Sequence, residues 1–396
     1  MPALSVILTT YKKPQDLVRV LEGFRSQTFS DFEVLVCDDG SGDATRDAIK
    51  LFADTVPFRV EHCWQEDSGF RAAASRNLGV RAATSETLVF TDGDCVPFPD
   101  FLEHHASAQD ATAFQAGERY LLSLEEANGI GIPEIESGAA FASPPAREVK
   151  RVKRVRRNDR FYRLVGIKPE RPRLMTCNCS VPRQRVLEIN GLDENYEGWG
   201  MEDEDLRRRL VAQGAKPSSL IGVANCLHLW HQADETFLGK RKQSPNWRYY
   251  ARGFHLSRAR RGLTERPLSE VRARFSGPEP LVALAQATLG FAKATQDGPC
   301  EVEVLVGHVR PSSSGKAEIT VALCASLPLA AKGVDLLCAP GLEVAGGELP
   351  AEVHPELDPR WAQQGVRATR PLPSSGAEPL GQGALEAAKR ILEAIL

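Results

Sequence analysis

The sequence lacks the features that define several large classes of protein. No segment approaches about 20 uninterrupted apolar residues, which excludes a membrane-spanning helix. The N-terminus has neither the basic region nor the long apolar region of a signal peptide. The formal net charge is only −3, which argues against a dedicated nucleic-acid-binding protein. We therefore expect a soluble or peripheral cytoplasmic protein without a nucleic-acid partner.

Two further chemistries are excluded by missing residues. The nine cysteines are odd in number and several lie in apolar runs, which favours buried, reduced thiols over a disulfide framework. No C-x-x-C pair is present, so a zinc site at Cys177 and Cys179 is not expected. Gly315-Lys316 is rejected as a phosphate-binding loop because Gly307 is too far upstream and Ala follows the lysine instead of Ser or Thr.

The first hundred residues show a regular alternation of strand and helix patterns. Four apolar runs are typical of buried strands, and three segments between them have helical spacing: residues 4–9, 32–37, 58–63 and 87–91, and residues 14–26, 43–52 and 72–83. This alternation predicts an α/β fold, with a mostly parallel, Rossmann-like sheet flanked by helices. In such sheets ligands bind at the carboxyl ends of the strands.

The pattern weakens after residue 110 because glycine, proline and charged residues interrupt it. Residues 147–163 form a basic run, and residues 240–261 are basic with interleaved aromatic residues. We interpret such runs as solvated surface or mobile loops, with docking to an anionic acceptor or membrane face as the alternative. The apolar stretch at 281–294 would either reinforce that docking or form core.

The composition shifts toward Ala, Gly, Pro and Ser near residue 265. We predict a separate, smaller α+β unit at residues 265–396, whose role the sequence does not indicate. Within it, residues 301–309 and 316–325 alternate like paired strands. Residues 383–396 are predicted to form a final amphipathic helix.

The clearest chemical motif is Asp92-Gly93-Asp94, which directly follows the fourth predicted strand. Two carboxylates separated by one small residue can share a divalent cation, and oxygen ligands suit Mg²⁺ or Mn²⁺. Such an ion neutralises the charge that develops on a diphosphate leaving group. The alternative is a turn or helix cap, where Asp-x-Asp is also common.

A second motif contains four consecutive acidic residues. These are Glu202 to Asp205, which follow Trp199-Gly200-Met201 and open a predicted helix. An acidic first turn favoured by the helix dipole is the simpler interpretation. The functional interpretation is that one of these carboxylates deprotonates an acceptor hydroxyl while Trp199 and Gly200 offer a flat surface to a sugar ring.

A third motif places two histidines after a predicted strand. His228 and His231 are three residues apart, which makes a metal ligand more plausible than a lone histidine would.

Taken in order, these motifs resemble the family 2 glycosyltransferases of the GT-A fold. The resemblance covers residues 3–110 and 170–235, and the second segment is similar to the galactosyltransferase-type domain of β-1,4-galactosyltransferases, polypeptide N-acetylgalactosaminyltransferases and bacterial chondroitin polymerases. The segments that carry it are Thr9-Thr10-Tyr11, Asp38-Asp39-Gly40-Ser41, Gly69-Phe70-Arg71 with Ser75-Arg76-Asn77, Asp92-Gly93-Asp94, and Trp199-Gly200-Met201-Glu202-Asp203.

The resemblance implies a function and a domain plan. It implies an inverting, metal-dependent transferase that moves a sugar from a UDP-sugar to a hydroxyl of a saccharide or lipid-linked saccharide, with Mn²⁺ or Mg²⁺. Polysaccharide biosynthesis is the expected setting, in the cytoplasm or peripherally at the inner face of the membrane. Residues 1–264 would form the transferase domain, with the nucleotide-sugar part at 1–110 and the acceptor and catalytic part at 170–235.

The resemblance also implies roles on the donor side. The residues that match uridine-binding positions are Thr9, Tyr11 and Asp39, with Tyr11 stacking on the base. Arg71 and Arg76 match basic positions near the donor phosphates and sugar.

The remaining implied roles concern the metal and the acceptor. Asp92 and Asp94 match the metal motif around Gly93, with Asp94 as the direct ligand, and His228 matches the late histidine of the metal shell with His231 as the second choice. The acceptor side is implied for Glu202, Asp203, Trp199, Gly200 and Asn178, and Asp203 is the expected catalytic base.

This chain departs from its relatives at two positions. Galactosyltransferases have Trp-Gly-Gly-Glu-Asp, whereas Met201 stands here at the second glycine. The family also often has Gly-Gly before Phe/Leu-Asp-Glu, and here Asn190 stands at the first of these glycines. We therefore do not transfer a galactose specificity or an acceptor from those relatives.

Two other function classes make different demands on the sequence. A nucleotidyltransferase would have a glycine-rich phosphate loop after the first strand, where Thr9-Thr10-Tyr11-Lys12-Lys13 stands instead. A non-catalytic saccharide-binding relative would have lost the acid pair or the metal motif, and both are present.

Overall fold

The chain forms two units, each with its own sheet. The computed structural model describes residues 1–167, 171–232, 244–252, 255–294, 300–307, 317–324, 334–339, 368–372, 380 and 382–396. The first unit comprises Met1–Gly239 and Arg261–Leu263, and the second comprises Lys240–Arg260 and Thr264–Leu396. The basic stretch at 240–261 therefore falls almost wholly in the second unit, before the predicted boundary at residue 264; its residues 240–243, 253 and 254 lie outside the described part.

A seven-stranded sheet organises the first unit. Its order is β3-β2-β1-β4-β8-β6-β9, and the first four of these strands are parallel to one another. The strands are β1 (Leu4–Thr10), β2 (Phe32–Asp38), β3 (Val60–Trp64), β4 (Thr87–Asp92), β6 (Ala113–Ala116), β8 (Asn178–Pro182) and β9 (Lys216–Ser219). The strand and helix pattern predicted for the first hundred residues is confirmed, with element ends shifted by no more than two residues.

Helices cover both faces of this sheet because its strands are apolar on both sides. Along β1, Leu4, Val6 and Leu8 belong to one core and Ile7 to the other. The helices before residue 110 are α1 (Pro14–Arg25), α2 (Asp43–Ala53), α3 (Ala72–Ala82) and α4 (Phe101–Ser107). Later helices of this unit are α5 (Leu124–Asn128), α6 (Ile132–Glu136), α7 (Ala139–Ala142), α8 (Ala146–Val165), α9 (Arg183–Glu188) and α10 (Glu202–Ala212).

A strand of reversed direction extends the parallel part of the sheet. β8 pairs with β4 in antiparallel fashion, with Asn178 opposite Thr91. The start of β8 therefore lies beside the end of β4, where Asp92-Gly93-Asp94 begins.

A second, three-stranded sheet lies in the same unit. β10 (Asn225–His228) is its central strand, antiparallel to β5 (Cys95–Pro97) and parallel to β7 (Glu118–Leu121). His228 is paired with Cys95, the residue after Asp94. This pairing brings the third sequence motif to the first.

The basic run at 147–163 is part of the long helix α8, so its interpretation as a mobile loop was wrong. Val152 is buried and Val149 and Val155 pack partly against the core. Apolar residues at this spacing give the helix one attached side in spite of its charge.

The second unit is a parallel α/β sheet, so the predicted α+β class was wrong for this unit. Its order is β12-β11-β13-β14-β15-β16, and every pairing is parallel. The runs predicted at 301–309 and 316–325 are adjacent parallel strands, and residues 308, 309, 316 and 325 lie outside the described part. The elements are α11 (Pro245–Ala251), a 3₁₀ turn (Leu268–Glu270), β11 (Arg272–Ser276), α12 (Glu279–Leu289), β12 (Ala292–Lys293), β13 (Val302–Val306), β14 (Ile319–Leu323), β15 (Leu336–Ala339), β16 (Ala368–Pro371) and α13 (Gln382–Ile395).

The helices of the second unit cover the sheet with their apolar residues. Ala285 and Leu289 of α12 and Leu385 and Leu392 of α13 are buried in one core. The apolar stretch at 281–294 therefore contributes to the core of this unit, and the predicted C-terminal helix is confirmed. No described helix of the chain has the length and apolar character that a membrane crossing requires.

Candidate functional site

The predicted functional residues gather where the parallel strands of the first unit end. Asp92 ends β4, Thr9 lies near the end of β1, and Asp39 follows β2. Neighbouring parallel strands end on the same edge of the sheet, so side chains far apart in the chain become neighbours.

The turn after β4 requires the small residue at position 93. The Gly93 amide donates a hydrogen bond to the Thr9 carbonyl at 2.7 Å. A Cβ atom at this position would lie 3.0 Å from that carbonyl oxygen and 3.0 Å from the Thr10 hydroxyl. Gly93 therefore lies close against β1, and Asp92 and Asp94 on either side of it have different neighbours.

Asp94 forms a candidate metal site with two histidines. Its carboxylate oxygens lie 3.7 Å from His228 Nε2 and 3.3 Å from His231 Nε2. The three ligand atoms lie within 4.8 Å of one another, so one cation can contact all of them. Burial lowers the pKa of His228, which keeps the imidazole neutral and able to bind a metal. Lys13 Nζ lies 3.8 Å from Asp94 and is the cation now nearest to it.

Buried sulfur atoms lie behind this cluster. Cys95, Cys177 and Cys226 form a small apolar group with Met175, and the Cys95 thiol donates a hydrogen bond to Asp94 at 3.5 Å. The cysteines of the first unit carry free thiols. A weak donor on an apolar backing orients Asp94 without neutralising its charge.

Asp92 belongs to a second cluster, centred on Arg76. The buried guanidinium of Arg76 donates hydrogen bonds to Asp92 at 3.0 Å, Glu202 at 3.2 Å and the Thr9 hydroxyl at 3.1 Å. The structure therefore does not bring Asp92 into the group formed by Asp94 and the histidines. Arg76 instead connects the end of β4 to the start of α10, where the acidic motif lies.

The acid pair is held in different ways on its two members. Asp203 accepts hydrogen bonds from the Thr176 hydroxyl at 2.6 Å and the Thr176 amide at 3.3 Å. Glu202 uses one oxygen for Arg76, and its other oxygen is buried without a hydrogen-bond partner. Burial, and then the Asp203 charge, raise the pKa of Glu202, and burial also raises the pKa of Asp203. Raised carboxyl pKa values in a cleft are typical of proton-transfer sites.

Asp39 occupies a buried position near the end of β2. Its oxygens accept hydrogen bonds from the Arg71 amide at 2.6 Å and from Gln65 at 2.5 Å. Burial raises the pKa of Asp39. The Arg71 side chain hydrogen-bonds to the Glu66 carbonyl, so its backbone and its side chain both hold this loop.

Tyr11 lies on the exposed side of the same edge. Its hydroxyl donates to Asp67 at 3.3 Å, and Lys12 pairs with the same carboxylate at 2.6 Å. The Tyr11 hydroxyl therefore contacts the loop between β3 and α3, which contains Asp67 and Arg71.

The turn before the acid pair has an unusual backbone. Gly198, Gly200 and Met201 all have positive φ, and Met201 has φ 79° at the N-cap of α10. A non-glycine residue in this region carries strain. The Met201 side chain is nevertheless buried, while Trp199 is 40% exposed beside it.

Asn178 lies elsewhere than an acceptor-binding residue would. Its side chain is fully buried and donates to the carbonyls of Glu118 at 2.8 Å and Ala224 at 3.0 Å, while it also contacts His105 at 3.1 Å. With these bonds made inside the protein, the amide connects β8 to the strands of the small sheet. The prediction that it touches the acceptor does not fit this placement.

The residues missed by sequence reasoning are those that support others. Thr176 and Gln65 hold Asp203 and Asp39, yet neither lies in a recognisable motif. Thr176 could have been found only from the antiparallel pairing of β8 with β4, which brings residues just before β8 to the end of β4.

Comparison with known proteins gives the class of the first unit. Residues 5–124 match the family described as glycosyl transferase family 2, and residues 156–232 match the one described as N-terminal domain of galactosyltransferase. The first unit is therefore similar to family 2 glycosyltransferases over its first part and to a galactosyltransferase-type domain over its second, and the resemblance drawn from the motifs is confirmed. The mostly parallel sheet flanked by helices confirms the predicted α/β class of fold for this unit.

Particular relatives are similar over the same region. Validoxylamine A glucosyltransferase of Streptomyces hygroscopicus subsp. jinggangensis is 32% identical over 226 residues, 54% of this chain and 52% of that protein. Chondroitin synthase of Escherichia coli is 27% identical over 236 residues, 56% of this chain and 34% of that protein. The chain thus spans about half or less of the length of these relatives. The S. aureus TarS 1–349 complex with UDP-GlcNAc has a TM-score of 0.45 at 17% identity, covering 63% of this chain and 64% of that one.

Proposed function

We propose that this chain is an inverting, metal-dependent glycosyltransferase that moves a sugar from a UDP-sugar to an acceptor hydroxyl. The proposal depends on two groups of side chains at one edge of the sheet. One is the cluster of three potential metal ligands, Asp94, His228 and His231 (the metal cluster), and the other is the buried acid pair. Asp92 belongs to the group around Arg76, and Asp94 belongs to the group with the two histidines. Only Gly93 separates the two aspartates in the sequence. We expect the acceptor of this chain to be a saccharide, free or lipid-linked, because similar proteins are named validoxylamine A glucosyltransferase and chondroitin synthase.

Asp94, His228 and His231 would hold the metal ion. Two imidazoles with one carboxylate suit Mn²⁺ better than Mg²⁺, which strongly prefers oxygen ligands. The ion would offset the negative charge that develops on the departing diphosphate.

The donor would lie along the edge formed by β1, β2 and the loop before α3. Asp39, held by the Arg71 amide and Gln65, would accept from a uracil N–H, and the half-buried Tyr11 ring would stack on the base. The Arg71 guanidinium, next to this loop, would contact the phosphates. Thr9 and Arg76 would lie beneath the sugar and keep Asp92 in place.

Asp203 would be the general base. The acceptor oxygen attacks the anomeric carbon, the bond from that carbon to the diphosphate oxygen breaks, and the hydroxyl proton passes to an Asp203 oxygen. A single displacement of this kind inverts the anomeric centre. Thr176 fixes the Asp203 carboxylate, while Glu202, Trp199 and Gly200 would contact the acceptor from the same turn.

A donor-hydrolysis assay tests the proposal. Purified chain is incubated with a panel of UDP- and GDP-sugars, and nucleoside diphosphate release is measured with Mn²⁺, with Mg²⁺ and with EDTA. We expect slow release from one UDP-sugar that EDTA abolishes and Mn²⁺ restores. Release that is equally fast in EDTA would contradict metal dependence, and release from GDP-sugars alone would contradict the assigned nucleotide. A parallel melting experiment with UDP and Mn²⁺ checks binding directly, because a ligand of the folded state raises the melting temperature.

A further inference from the structure

Helix α8 carries a large charge that the fold itself uses only in part. It has nine basic and two acidic residues. One side of the helix packs on the protein through the buried residues Glu148, Val152 and Asp159. On that side Arg151 pairs with Glu118 of β7 at 3.2 Å and with Glu148 at 2.7 Å.

The opposite side of α8 is exposed and cationic. Positions 150, 153, 154, 157 and 160 follow helical spacing and so share one face. The side chains are Lys150, Lys153, Arg154, Arg157 and Arg160, all exposed. Within the described part of the chain no carboxylate lies within 4.0 Å of any of these five groups, to judge from the ion pairs present.

These cations also shape the surface locally. An open groove of about 520 Å³ runs among basic side chains alone. Like charges held together in this way attract a polyanionic partner, since only Arg147 and Arg151 among the groove residues are paired with carboxylates of the described residues. The groove is lined by Arg147, Lys150, Arg151, Lys153, Arg154 and Arg157.

The same face changes character in the last turn of the helix. Phe161 is 54% exposed and Leu164 is 83% exposed, and Val165 and Ile167 are exposed next to them. Spacing of three or four residues places Phe161 and Leu164 in line with Arg157 and Arg160. Large exposed apolar residues beside a charged patch commonly mark a binding surface.

We propose that this face, residues 150–165 of α8 with Ile167, binds the surface of an anionic lipid membrane. The cations would contact lipid phosphates, and the apolar last turn would insert between the acyl chains. The apolar last turn favours a membrane over a soluble polyanion, because its side chains can be buried among acyl chains and would stay in water against a hydrated ligand. The further inference that a lipid-linked acceptor is bound at the membrane rests on the function proposed above.

The attachment of α8 would bring the candidate site to the membrane. Arg151 connects the helix to β7, and β7 pairs with β10, which ends at His228. A lipid-linked acceptor would then be presented near the edge that carries the metal cluster.

Vesicle flotation with the full chain tests the proposal without any substrate. We expect the chain to float with phosphatidylcholine vesicles that contain phosphatidylglycerol, and not with pure phosphatidylcholine. The triple variant Lys150→Gln/Arg154→Gln/Arg157→Gln should bind about 100-fold more weakly, since each cation near an anionic surface contributes roughly fivefold. Phe161→Ser/Leu164→Ser should weaken binding about tenfold or more while leaving its salt dependence intact.

Matched controls separate the outcomes. Arg46→Gln/Lys50→Gln/Lys216→Gln removes the same charge from exposed positions elsewhere in the first unit and should bind like wild type. Equal loss in both triple variants, or no preference for the anionic vesicles, would overturn the proposal. Unchanged flotation of the serine variant together with competition by soluble polyphosphate would also overturn it, in favour of a soluble polyanion. Nucleoside diphosphate release without vesicles should be the same in all variants, so failure of the transferase assignment would be seen separately.

Discussion

The two units of the chain use the same architecture for different purposes. Both contain a mostly or wholly parallel sheet with apolar strands, yet one buried charged group in the first unit and one in the second lie at opposite ends of the strands. In the first unit Arg76 and the acid pair gather at the carboxyl ends, beside Asp92 at the end of β4. In the second unit Arg266 and Glu301 form a buried pair at the amino end of β13.

The buried carboxylates of the two units also differ in how many of their oxygens have hydrogen-bond partners. Glu301 binds Arg266 through both oxygens, at 2.9 and 3.2 Å, and also accepts from the Arg272 amide. Glu202 keeps one buried oxygen without a partner, and three carboxylates surround Arg76. Arg266 and Glu301 match one another in charge, whereas two of the three carboxylates around Arg76 have raised pKa values, an arrangement that is typical of functional sites. The comparison therefore favours the first unit, and not the charges of the second, as the place of the proposed chemistry.

The largest effect is expected for Asp203→Asn. Loss of the general base should lower kcat by about 10²–10⁴-fold, because proton removal from the acceptor then has no assistance. The melting temperature should stay the same or rise slightly, since a buried negative charge is removed. Asp47→Asn, on the exposed side of α2, is the control and should keep full activity. A kcat within a few-fold of wild type would eliminate Asp203 as the base.

The reverse pattern is expected for Glu301→Gln. Removing one partner of a buried ion pair costs about 3–5 kcal/mol in the free energy of unfolding, because Arg266 is left buried without its counter-charge. Urea unfolding should report this loss, and hydrogen exchange should accelerate in β13 and β14. Nucleoside diphosphate release at low temperature should stay within about twofold of wild type. Glu393→Gln on α13 is the matched control, and a loss of activity without a loss of stability would break the comparison.

The metal cluster should give a smaller but selective effect. His228→Gln and His231→Gln should each raise the Mn²⁺ concentration for half-maximal activity by about 10–100-fold, because both Nε2 atoms face Asp94. His104→Gln on α4 should leave that concentration unchanged. A shift in the His228 variant alone would remove His231 from the ligand set.

The smallest effect concerns the pH profile. The base acts only when deprotonated, so kcat should rise with pH through the raised pKa of the acid pair and be lost below it. Glu202→Gln removes a neighbouring negative charge, which should move the acidic limb of the kcat profile about one unit lower. The position of the limb is the readout, because its height also depends on acceptor contacts. A limb that keeps its position or moves upward would mean that Glu202 does not repel the base.

Much of the first unit could be predicted because its structure is local. The runs before residue 95 alternate in a way that only a parallel sheet satisfies, and the position of Asp92-Gly93-Asp94 follows from the end of β4. His228 and His231 were expected near the metal motif only through the family resemblance. The proximity of both histidines to Asp94 depends on the pairing of β10 with β5, a contact between residues about 130 positions apart.

The errors came from long-range pairing and from charge. Nothing local distinguishes paired antiparallel strands from the parallel β13 and β14, because both would be short apolar runs. The helix α8 was not predicted from its basic sequence, because only Val149, Val152 and Val155 indicate an apolar side that packs on the protein. The separation of Asp92 from Asp94 could not be foreseen either, because it depends on the long-range contacts of Arg76 with Asp92 and of His228 with Asp94.

The placement of Asn178 has a consequence for how such a site can change over generations. The proposed metal ligands lie where two sheets meet, because Asp94 follows β4 and His228 ends β10. The Asn178 amide is one of the links between these sheets, through the carbonyls of Glu118 and Ala224. A ligand set of this kind works only if its members keep their positions to within about 0.5 Å. Substitutions that displace either sheet are therefore tolerated only when the amide keeps both bonds. In related chains that keep this site, we expect asparagine at this position to occur together with the aspartate and the histidines.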